Sequence, residues 1–215
     1  MSVIIINPNS TSTMTDSMMQ VAQHAVPELS FEGWTSHLGP ASIQGEADGL
    51  SATPPFLDLV LQANEASAEC IIIGCFDDTA LEEAAALSSC PVIGIGQAAY
   101  HYAALRNWRF SVVTTLAVSV PILEGNIERN GLSRFLGDVR ASDVAVLELE
   151  DDLIQAEGKI LAEARRAEQE DGIDALILGC AGMVQVTQTV RKNLTIHVLD
   201  PVEIAATCAA WLVHR

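Results

Sequence analysis

Two apolar runs in this chain each end in a Gly-Cys pair, and the two pairs lie about half a chain length apart. The runs are CIIIGCFDDTAL at residues 70–81 and ALILGCAGMVQV at residues 175–186. Cys75 and Cys180 are 105 residues apart in a chain of 215 residues. Each cysteine follows a β-forming run and precedes a segment that opens a helix. The pattern therefore predicts two βα units of the same kind.

Other features of the two halves share this spacing. The strand signals at 3–6 and 110–113 are each followed by a small polar cluster, NPNSTS at 7–12 and TTLAVS at 114–119. Each cysteine unit is followed by a short β segment, PVIGI at 91–95 and TIHVL at 195–199. Four features at one offset predict a pseudo-twofold pair of lobes, although generic βα units could resemble each other by chance.

Strand and helix signals alternate along the whole chain, which predicts an α/β fold of mostly parallel sheets flanked by helices. The Gly/Pro/Ser-rich segment 37–53 reads as a loop, with a helix beginning at Phe56. A further helix is expected over 78–87, and weaker strand signals lie at 135–140 and 144–148. A long polar helix is expected over 151–170.

The composition excludes several classes of function. The chain has 28 acidic and 11 basic residues, a formal charge of −17, so its surface should repel nucleic acid and anionic membranes. The opening MSVIIINPNS has no basic start, and no apolar run approaches the roughly 20 residues of a membrane helix. We therefore expect a cytoplasmic protein with no nucleic-acid or membrane partner.

The cysteines and histidines do not have the spacing of a disulfide scaffold or a metal site. Five cysteines is an odd count, and no Cys-x-x-Cys occurs. Cys70, Cys90 and Cys208 lie in apolar surroundings and read as packing residues. The five histidines are scattered, so we expect no metal.

Ligands of open parallel sheets bind beyond the carboxyl ends of the strands, so facing lobes would direct Cys75 and Cys180 into one cleft. Two thiols on opposite faces of a small molecule can invert a carbon: a thiolate removes the α-proton, and a thiol returns a proton to the other face. The pKa of an ordinary cysteine is about 8.5, and a strand end leading into a helix favours the thiolate. Asp77 and Asp78 would oppose this if they faced the thiol, but we interpret them first as helix caps.

The polar clusters supply candidate groups for the charge of a carbanion. Asn9, Ser10, Thr114 and Thr115 could hold an enolate, carboxylate or imide oxygen, with capping or turn formation as the alternative. Beside the cysteines, Phe76 and Met183 could form apolar walls of the pocket or belong to the core. The GIGQAA segment at 94–99 lacks the third glycine of a dinucleotide fingerprint and reads as a close strand-to-helix turn.

Five segments resemble the Asp/Glu/hydantoin racemase superfamily, with the hydantoin and allantoin racemases as the closest branch. They are IIINPNSTSTMT (4–15), GPASIQG (39–45), GCFDDTALEEA (74–84), PVIGIGQAA (91–99) and LGCAGM (178–183). The resemblance implies two pseudo-symmetric Rossmann-like lobes with the active site in the cleft between them. It also implies racemisation without a cofactor by a cysteine pair that falls on Cys75 and Cys180. Related decarboxylases carry only one of these cysteines.

The resemblance also suggests boundaries and further site residues. The first lobe would be 1–98 completed by 200–215, and the second lobe 99–199. Substrate-binding candidates within the matching motifs are Ser42, Ala181, Gly182 and Met183. Enzymes on such scaffolds often assemble, so we expect a homo-oligomer.

The leading hypothesis is a racemase or epimerase, an isomerase, acting on a small cyclic ureide such as a 5-substituted hydantoin or allantoin. The carbanion of such a ring delocalises into the ring carbonyl, so two thiols could suffice. The only lysines, Lys159 and Lys192, lie outside the motifs, which argues against a Schiff-base cofactor. An aspartate or glutamate racemase, a maleate-type cis-trans isomerase and a non-catalytic ligand-binding protein are the alternatives.

Overall fold

The computed structural model of the protein describes residues 2–213 and contains two four-stranded sheets whose strands are all parallel. The first sheet comprises β1 (Val3–Asn7), β2 (Phe31–Thr35), β3 (Cys70–Ile73) and β4 (Val92–Gly94), in the order β2-β1-β3-β4. The second comprises β5 (Phe110–Thr114), β6 (Leu136–Ala141), β7 (Ala175–Gly179) and β8 (His197–Leu199), in the order β6-β5-β7-β8. The two orders are equivalent, which confirms the predicted two-lobed α/β fold.

Helices cover both faces of each sheet. They are α1 (Ser12–Ala25), α2 (Glu46–Glu65), α3 (Leu81–Leu87), α4 (Ile95–Leu105), α5 (Val120–Arg129), α6 (Glu148–Asp151), α7 (Leu153–Glu170), α8 (Thr187–Asn193) and α9 (Pro201–Val213). Helices α2 and α3 pack on the outer face of the first sheet, and α7 and α8 on that of the second. Helices α1, α4 and α9 lie between the two sheets. Within residues 2–213, no helix is long and apolar enough to cross a membrane.

The strands are continuously apolar because both of their faces are buried, as parallel sheets require. In β1, Ile4 and Ile6 join the outer cluster with α2, whereas Val3 and Ile5 join the central core. The same alternation in β7 divides its side chains between the second outer cluster and the central core.

The C-terminal helix α9 packs against α1, α4 and β3, and it also contacts β7 of the second sheet. Three fully buried alanines, Ala205, Ala206 and Ala209, allow this close approach. The lobe boundaries 1–98 plus 200–215 and 99–199 remain a prediction. Residues 1, 214 and 215 lie outside the described residues.

Helix α2 begins ten residues before the predicted start, so the loop expected over 37–53 is wrong beyond residue 45. Pro54 and Pro55, which normally interrupt a helix, lie inside it. The buried positions Ala52, Phe56 and Val60 recur at helical spacing. The free energy gained by burying this face against the first sheet therefore exceeds the cost of the helix hydrogen bonds that the two prolines cannot donate.

Two other predicted elements differ from the structure. Helix α3 begins at Leu81 rather than Asp78, because Asp78 and Ala80 have positive φ values of 50° and 53° that a helix does not accommodate. No strand forms at 144–148. Val144 and Val146 are buried loop residues that lead into the short helix α6.

The glycine of each Gly-Cys pair is required by the close approach of neighbouring atoms. The Gly74 amide donates to the Ile6 carbonyl at 2.8 Å, and a Cβ at Gly74 would lie 2.7 Å from Met18 Cε of α1. A Cβ at Gly179 would lie 2.7 Å from Val112 Cγ1 and 2.9 Å from the Val113 carbonyl. All three distances to the added Cβ are too short for a real Cβ. Gly179 therefore lets the end of β7 pack directly on β5, whereas Gly74 makes room for the Met18 side chain.

We expect Gly179→Ala to lower the free energy of unfolding by about 2 kcal/mol, because a backbone carbonyl blocks the new methyl group. Gly74→Ala should cost less, since the flexible Met18 can move. Gly158→Ala is the matched control: Gly158 is exposed within α7 with open space around it, and alanine should stabilise that helix by about 0.5–1 kcal/mol. Urea unfolding measures all three. Equal stability of the Gly179 and Gly158 variants would contradict the close-approach argument.

Candidate active site

A small cavity of about 30 Å³ lies at the carboxyl ends of β1, β3, β5 and β7, where the two lobes face each other. This volume holds one or two water molecules. Asp77, on its wall, also lines a larger adjoining cleft of about 700 Å³ together with Asp78, Asn126 and Arg129. The residues that line the cavity are Asn9, Met14, Ile43, Gly74, Cys75, Phe76, Asp77, Thr114, Thr115, Ser119, Val146, Gly179, Cys180 and Ala181. The structure thus brings together both predicted cysteines and five of the predicted binding residues.

Cys75 lies on the turn between β3 and α3. Burial raises the pKa of its thiol well above the ordinary range, and the negative charge of Asp77 raises it further. The Thr79 hydroxyl and the Asp77 backbone amide act in the opposite direction. Because α3 begins six residues later, no helix N-terminus adjoins this sulfur.

Cys180 is the N-terminal cap residue of a 3₁₀ helix over Ala181–Gln185. Burial raises the pKa of its thiol to about 11, while the nearby backbone amides of Gly182 and Met183 lower it. The negative charge of Asp77 raises the pKa of this thiol too. At both cysteines, burial therefore outweighs the stabilisation of the thiolate expected from a strand-to-helix junction. At neutral pH both groups are therefore thiols.

The side chain of Asn9 is oriented by its neighbours. Its Oδ1 accepts from Asn7 Nδ2 at 3.0 Å and from the Thr11 backbone amide at 2.9 Å. Its Nδ2 donates only weakly, to the Met14 sulfur at 3.7 Å. The Asn9 amide group is therefore placed to donate into the cavity. Asn7, a residue that sequence reasoning did not single out, orients it and is itself held by Thr15 Oγ1 at 3.1 Å.

Hydroxyl groups of the second lobe complete the polar wall. Thr114 donates to the Gly179 carbonyl at 3.1 Å, which ties the ends of β5 and β7 together. Thr115 lines the cavity beside it. Ser119 also lines the cavity and precedes α5 without making a side-chain cap bond, so its hydroxyl is free for another partner. Its place in the cluster TTLAVS was the only sequence signal for Ser119.

Four predicted binding residues do not line this cavity. The Ser10 hydroxyl donates to the Pro40 carbonyl at 3.2 Å and so fixes the loop after β2. Ser42 is buried next to Ile43, which does line the cavity. The Met183 side chain is in the outer core of the second lobe, and Gly182 approaches Leu149. The backbone amides of these last two residues lower the pKa of the Cys180 thiol.

The interpretation of both aspartates as caps holds only for Asp78, and that residue caps a distant helix. Its carboxylate accepts from the Gly96 amide at 2.9 Å and the Gln97 amide at 2.7 Å, at the start of α4. A Cβ at Gly94 or Gly96 would collide with this carboxyl, which explains the GIG sequence. Burial raises the pKa of Asp78 to about 8.

Asp77 caps no helix and was missed as a site residue. It lines the cavity with both cysteines, and its buried Oδ2 has no hydrogen-bond partner within residues 2–213. Burial raises the pKa of its carboxyl to about 7. The Asp77 backbone carbonyl accepts from Asn126 Nδ2 at 2.8 Å, so α5 of the second lobe holds this turn in place.

In the part of the chain that the structure describes, no three His, Cys, Asp or Glu side chains cluster as metal ligands do. The polar groups of the cavity are two thiols, one carboxyl, one carboxamide and several hydroxyls. This set can move protons and hydrogen-bond a small neutral molecule.

Comparison with known proteins identifies the family. The profile of the Asp/Glu/hydantoin racemases matches residues 3–209. A hydantoin racemase of Rhizobium meliloti is 39% identical over 216 aligned positions, which cover 99% of this chain and 89% of that protein. The structure of an allantoin racemase from Klebsiella pneumoniae superposes with a TM-score of 0.93 at 32% identity, covering 99% of this chain and 87% of that one. An allantoin racemase from Pseudomonas fluorescens gives the same TM-score at 31% identity, covering 99% and 91%.

The chain belongs to the Asp/Glu/hydantoin racemase family, as its motifs predicted. It is an enzyme of the isomerase class, a racemase. The homo-oligomer and the cytoplasmic location expected from the sequence remain predictions.

We expect Asp77→Asn to stabilise the protein at alkaline but not at acid pH. The pKa of Asp77 is about 7 in the folded protein and about 3.9 in an unfolded chain, so the unfolded state loses its proton first as pH rises. The wild-type protein should therefore lose stability between about pH 4 and 7, and the variant should avoid that part of the loss. Urea unfolding should show similar stabilities near pH 4 and an advantage of about 2 kcal/mol for the variant near pH 8. An equal difference at both pH values would contradict the raised pKa.

Proposed function

We propose that the protein racemises a small cyclic ureide, a 5-substituted hydantoin or allantoin, by proton transfer between Cys75 and Cys180. The observation that carries the proposal is the pair of thiols lining one cavity from equivalent positions, each beyond the third strand of its own sheet. The relatives named hydantoin racemase and allantoin racemase support the substrate class.

The reaction begins when one thiol loses its proton. Cys180 is the group that we expect to ionise first, because the pKa of its thiol is raised less than that of Cys75. Its thiolate removes the α-proton from one face of the ring, and the Cys75 thiol donates a proton to the opposite face. The next turnover, starting from the other enantiomer, runs in reverse. A ligand bound between the two sulfurs would exclude water from them, which keeps the exchange between the two cysteines.

The carbanion is stabilised by delocalisation into the ring carbonyl, whose oxygen gains negative charge. Donors aimed at that oxygen lower the barrier because they stabilise the charge as it develops. Asn9 Nδ2 and the hydroxyls of Thr115 and Ser119 are the groups that we assign to this role. No cofactor is required in this scheme, because the ring itself holds the electron pair.

The lining of the cavity disfavours an amino-acid substrate. Aspartate or glutamate would need a cation for its carboxylates, and no arginine, lysine or histidine is among the lining residues. A maleate-type isomerisation would use one cysteine as a nucleophile and give the second thiol no task. A non-catalytic binding role would give neither thiol a chemical task.

We expect Cys75→Ser and Cys180→Ser each to lower the rate of racemisation by at least about 10³-fold, since a serine hydroxyl is a far weaker acid and base at these positions. Cys90→Ser is the matched control, because Cys90 packs in the outer core of the first lobe and is remote from the cavity. Circular dichroism would measure the loss of optical activity as each protein is incubated with single enantiomers of allantoin, several hydantoins, aspartate and glutamate.

Each inactive variant should still exchange the α-proton of one enantiomer with solvent, because one thiol remains on one face. Wild-type racemisation by both single variants would disprove the two-thiol mechanism. Loss of activity in one variant alone would favour the single-nucleophile isomerase.

A further inference from the structure

The Asp77 carboxyl is the one buried acidic group on the cavity wall that neither the fold nor the two-thiol scheme uses. Its Oδ2 is buried without a hydrogen-bond partner in residues 2–213. Buried polar atoms in folded proteins almost always have a partner, and leaving one without costs free energy. The neighbouring Asp78 shows the usual outcome, since both of its oxygens accept amide hydrogens from α4.

The turn that carries Asp77 is held rigidly on both sides. Asn126 of α5 donates to the Asp77 carbonyl, and the Asp78 carboxylate is bound to the start of α4. These anchors leave Asp77 on the wall of the cavity that Cys75 and Cys180 also line, and its charge acts on both thiols. The residue therefore borders the space that a ligand would fill, with Oδ2 still lacking a partner in residues 2–213.

We propose that Asp77 selects the substrate: its carboxylate accepts a hydrogen bond from a ring N–H of the ureide and repels ligands that carry a carboxylate. This inference rests on the proposed function. A cyclic ureide alternates N–H donors with carbonyl acceptors. Asp77 matches the donors of such a ring, whereas Asn9 and the hydroxyls of the second lobe match its carbonyl oxygens.

The charges around Asp77 do not offset its own. The groups that act on it or lie beside it are Cys75, Asp78 and Thr79 on its own turn, Tyr100 of α4, Cys180 of the second lobe, and Arg129 of α5. Arg129 is the cation among these, and its guanidinium donates to Asn126 Oδ1. It lines the larger adjoining cleft and not the cavity with the cysteines. A ligand carboxylate in that cavity would face Asp77 without a counter-charge.

The hydrogen bond that we assign needs the ionised form of Asp77. Burial raises the pKa of this carboxyl to about 7, so the ionised fraction grows as the pH rises through neutrality. A neutral ureide should therefore bind more tightly near pH 8 than near pH 5.5. Asparagine at position 77 cannot ionise and should remove this dependence.

The test measures binding of allantoin by calorimetry in a Cys180→Ser background, which cannot turn it over and leaves the Cys75–Asp77 turn intact. Adding Asp77→Asn should weaken the affinity about tenfold at pH 8, since a charge-assisted hydrogen bond becomes a neutral one. The affinity of the Asp77→Asn variant should also be the same near pH 5.5 and pH 8. The preference for allantoin over aspartate should also be smaller in this variant than in the Cys180→Ser parent.

Asp78→Asn in the same background is the matched control, because it removes an adjacent buried carboxyl that binds α4 and does not line the cavity. It should lower the stability of the protein yet keep the rise of allantoin affinity between about pH 5.5 and 8. An Asp77→Asn variant that binds allantoin with unchanged affinity and unchanged pH dependence would overturn the inference. Turnover is measured separately, with Asp77→Asn in the enzyme that keeps both cysteines. Loss of turnover there, with allantoin binding unchanged, would also overturn the inference and would assign Asp77 to proton transfer.

The wild-type enzyme separates failure of this inference from failure of the proposed function. Turnover of allantoin or a hydantoin by wild type, combined with unaltered binding by Asp77→Asn, rejects the role of Asp77 alone. Absence of both turnover and binding for every ureide rejects the proposed function, and with it this inference.

Discussion

The close packing around Gly74 and Gly179 fixes where the two thiols lie. A side chain at Gly179 would collide with β5, and one at Gly74 would collide with Met18 of α1, so each strand needs a glycine at its end. The next residue in each case is the cysteine, and it emerges where the parallel strands end. Because the two sheets share one strand order, this constraint acts twice and places Cys75 and Cys180 in one cavity.

Burial determines the pKa values of the groups in that cavity and also lowers the free energy of unfolding of the protein. It raises the pKa of both thiols and of Asp77, so the thiols stay protonated at neutral pH while Asp77 loses its proton only as the pH rises through about 7. A protein under selection for stability alone would not place a carboxyl with an unsatisfied oxygen between two thiols. Groups of this kind cluster at functional sites, where a ligand supplies the missing partner.

The sequence was sufficient to predict the eight strands that form, the lobe symmetry and the pairing of the two Gly-Cys motifs, because apolar runs and Gly-Cys spacing are local signals; the strand expected at 144–148 does not form. It was not sufficient for features that depend on distant partners. Asp77 and Asp78 are chemically identical neighbours, and only the amides of Gly96 and Gln97, 18 and 19 residues beyond Asp78, distinguish them. Likewise, α2 extends through two prolines because its Ala52 face is buried, which no local pattern reveals.

The measurement that tests the central claim most directly is the position of deuterium after the first turnovers of a single allantoin or hydantoin enantiomer in D2O. With two thiols on opposite faces, the product enantiomer should carry solvent deuterium at its α-carbon while the recovered substrate still carries protium. NMR of the separated enantiomers measures the deuterium content at the α-carbon of the product and of the recovered substrate. Deuterium appearing in recovered substrate as fast as in product would mean that one group both removes and returns the proton. That result would contradict the assignment of Cys75 and Cys180 as an acid–base pair.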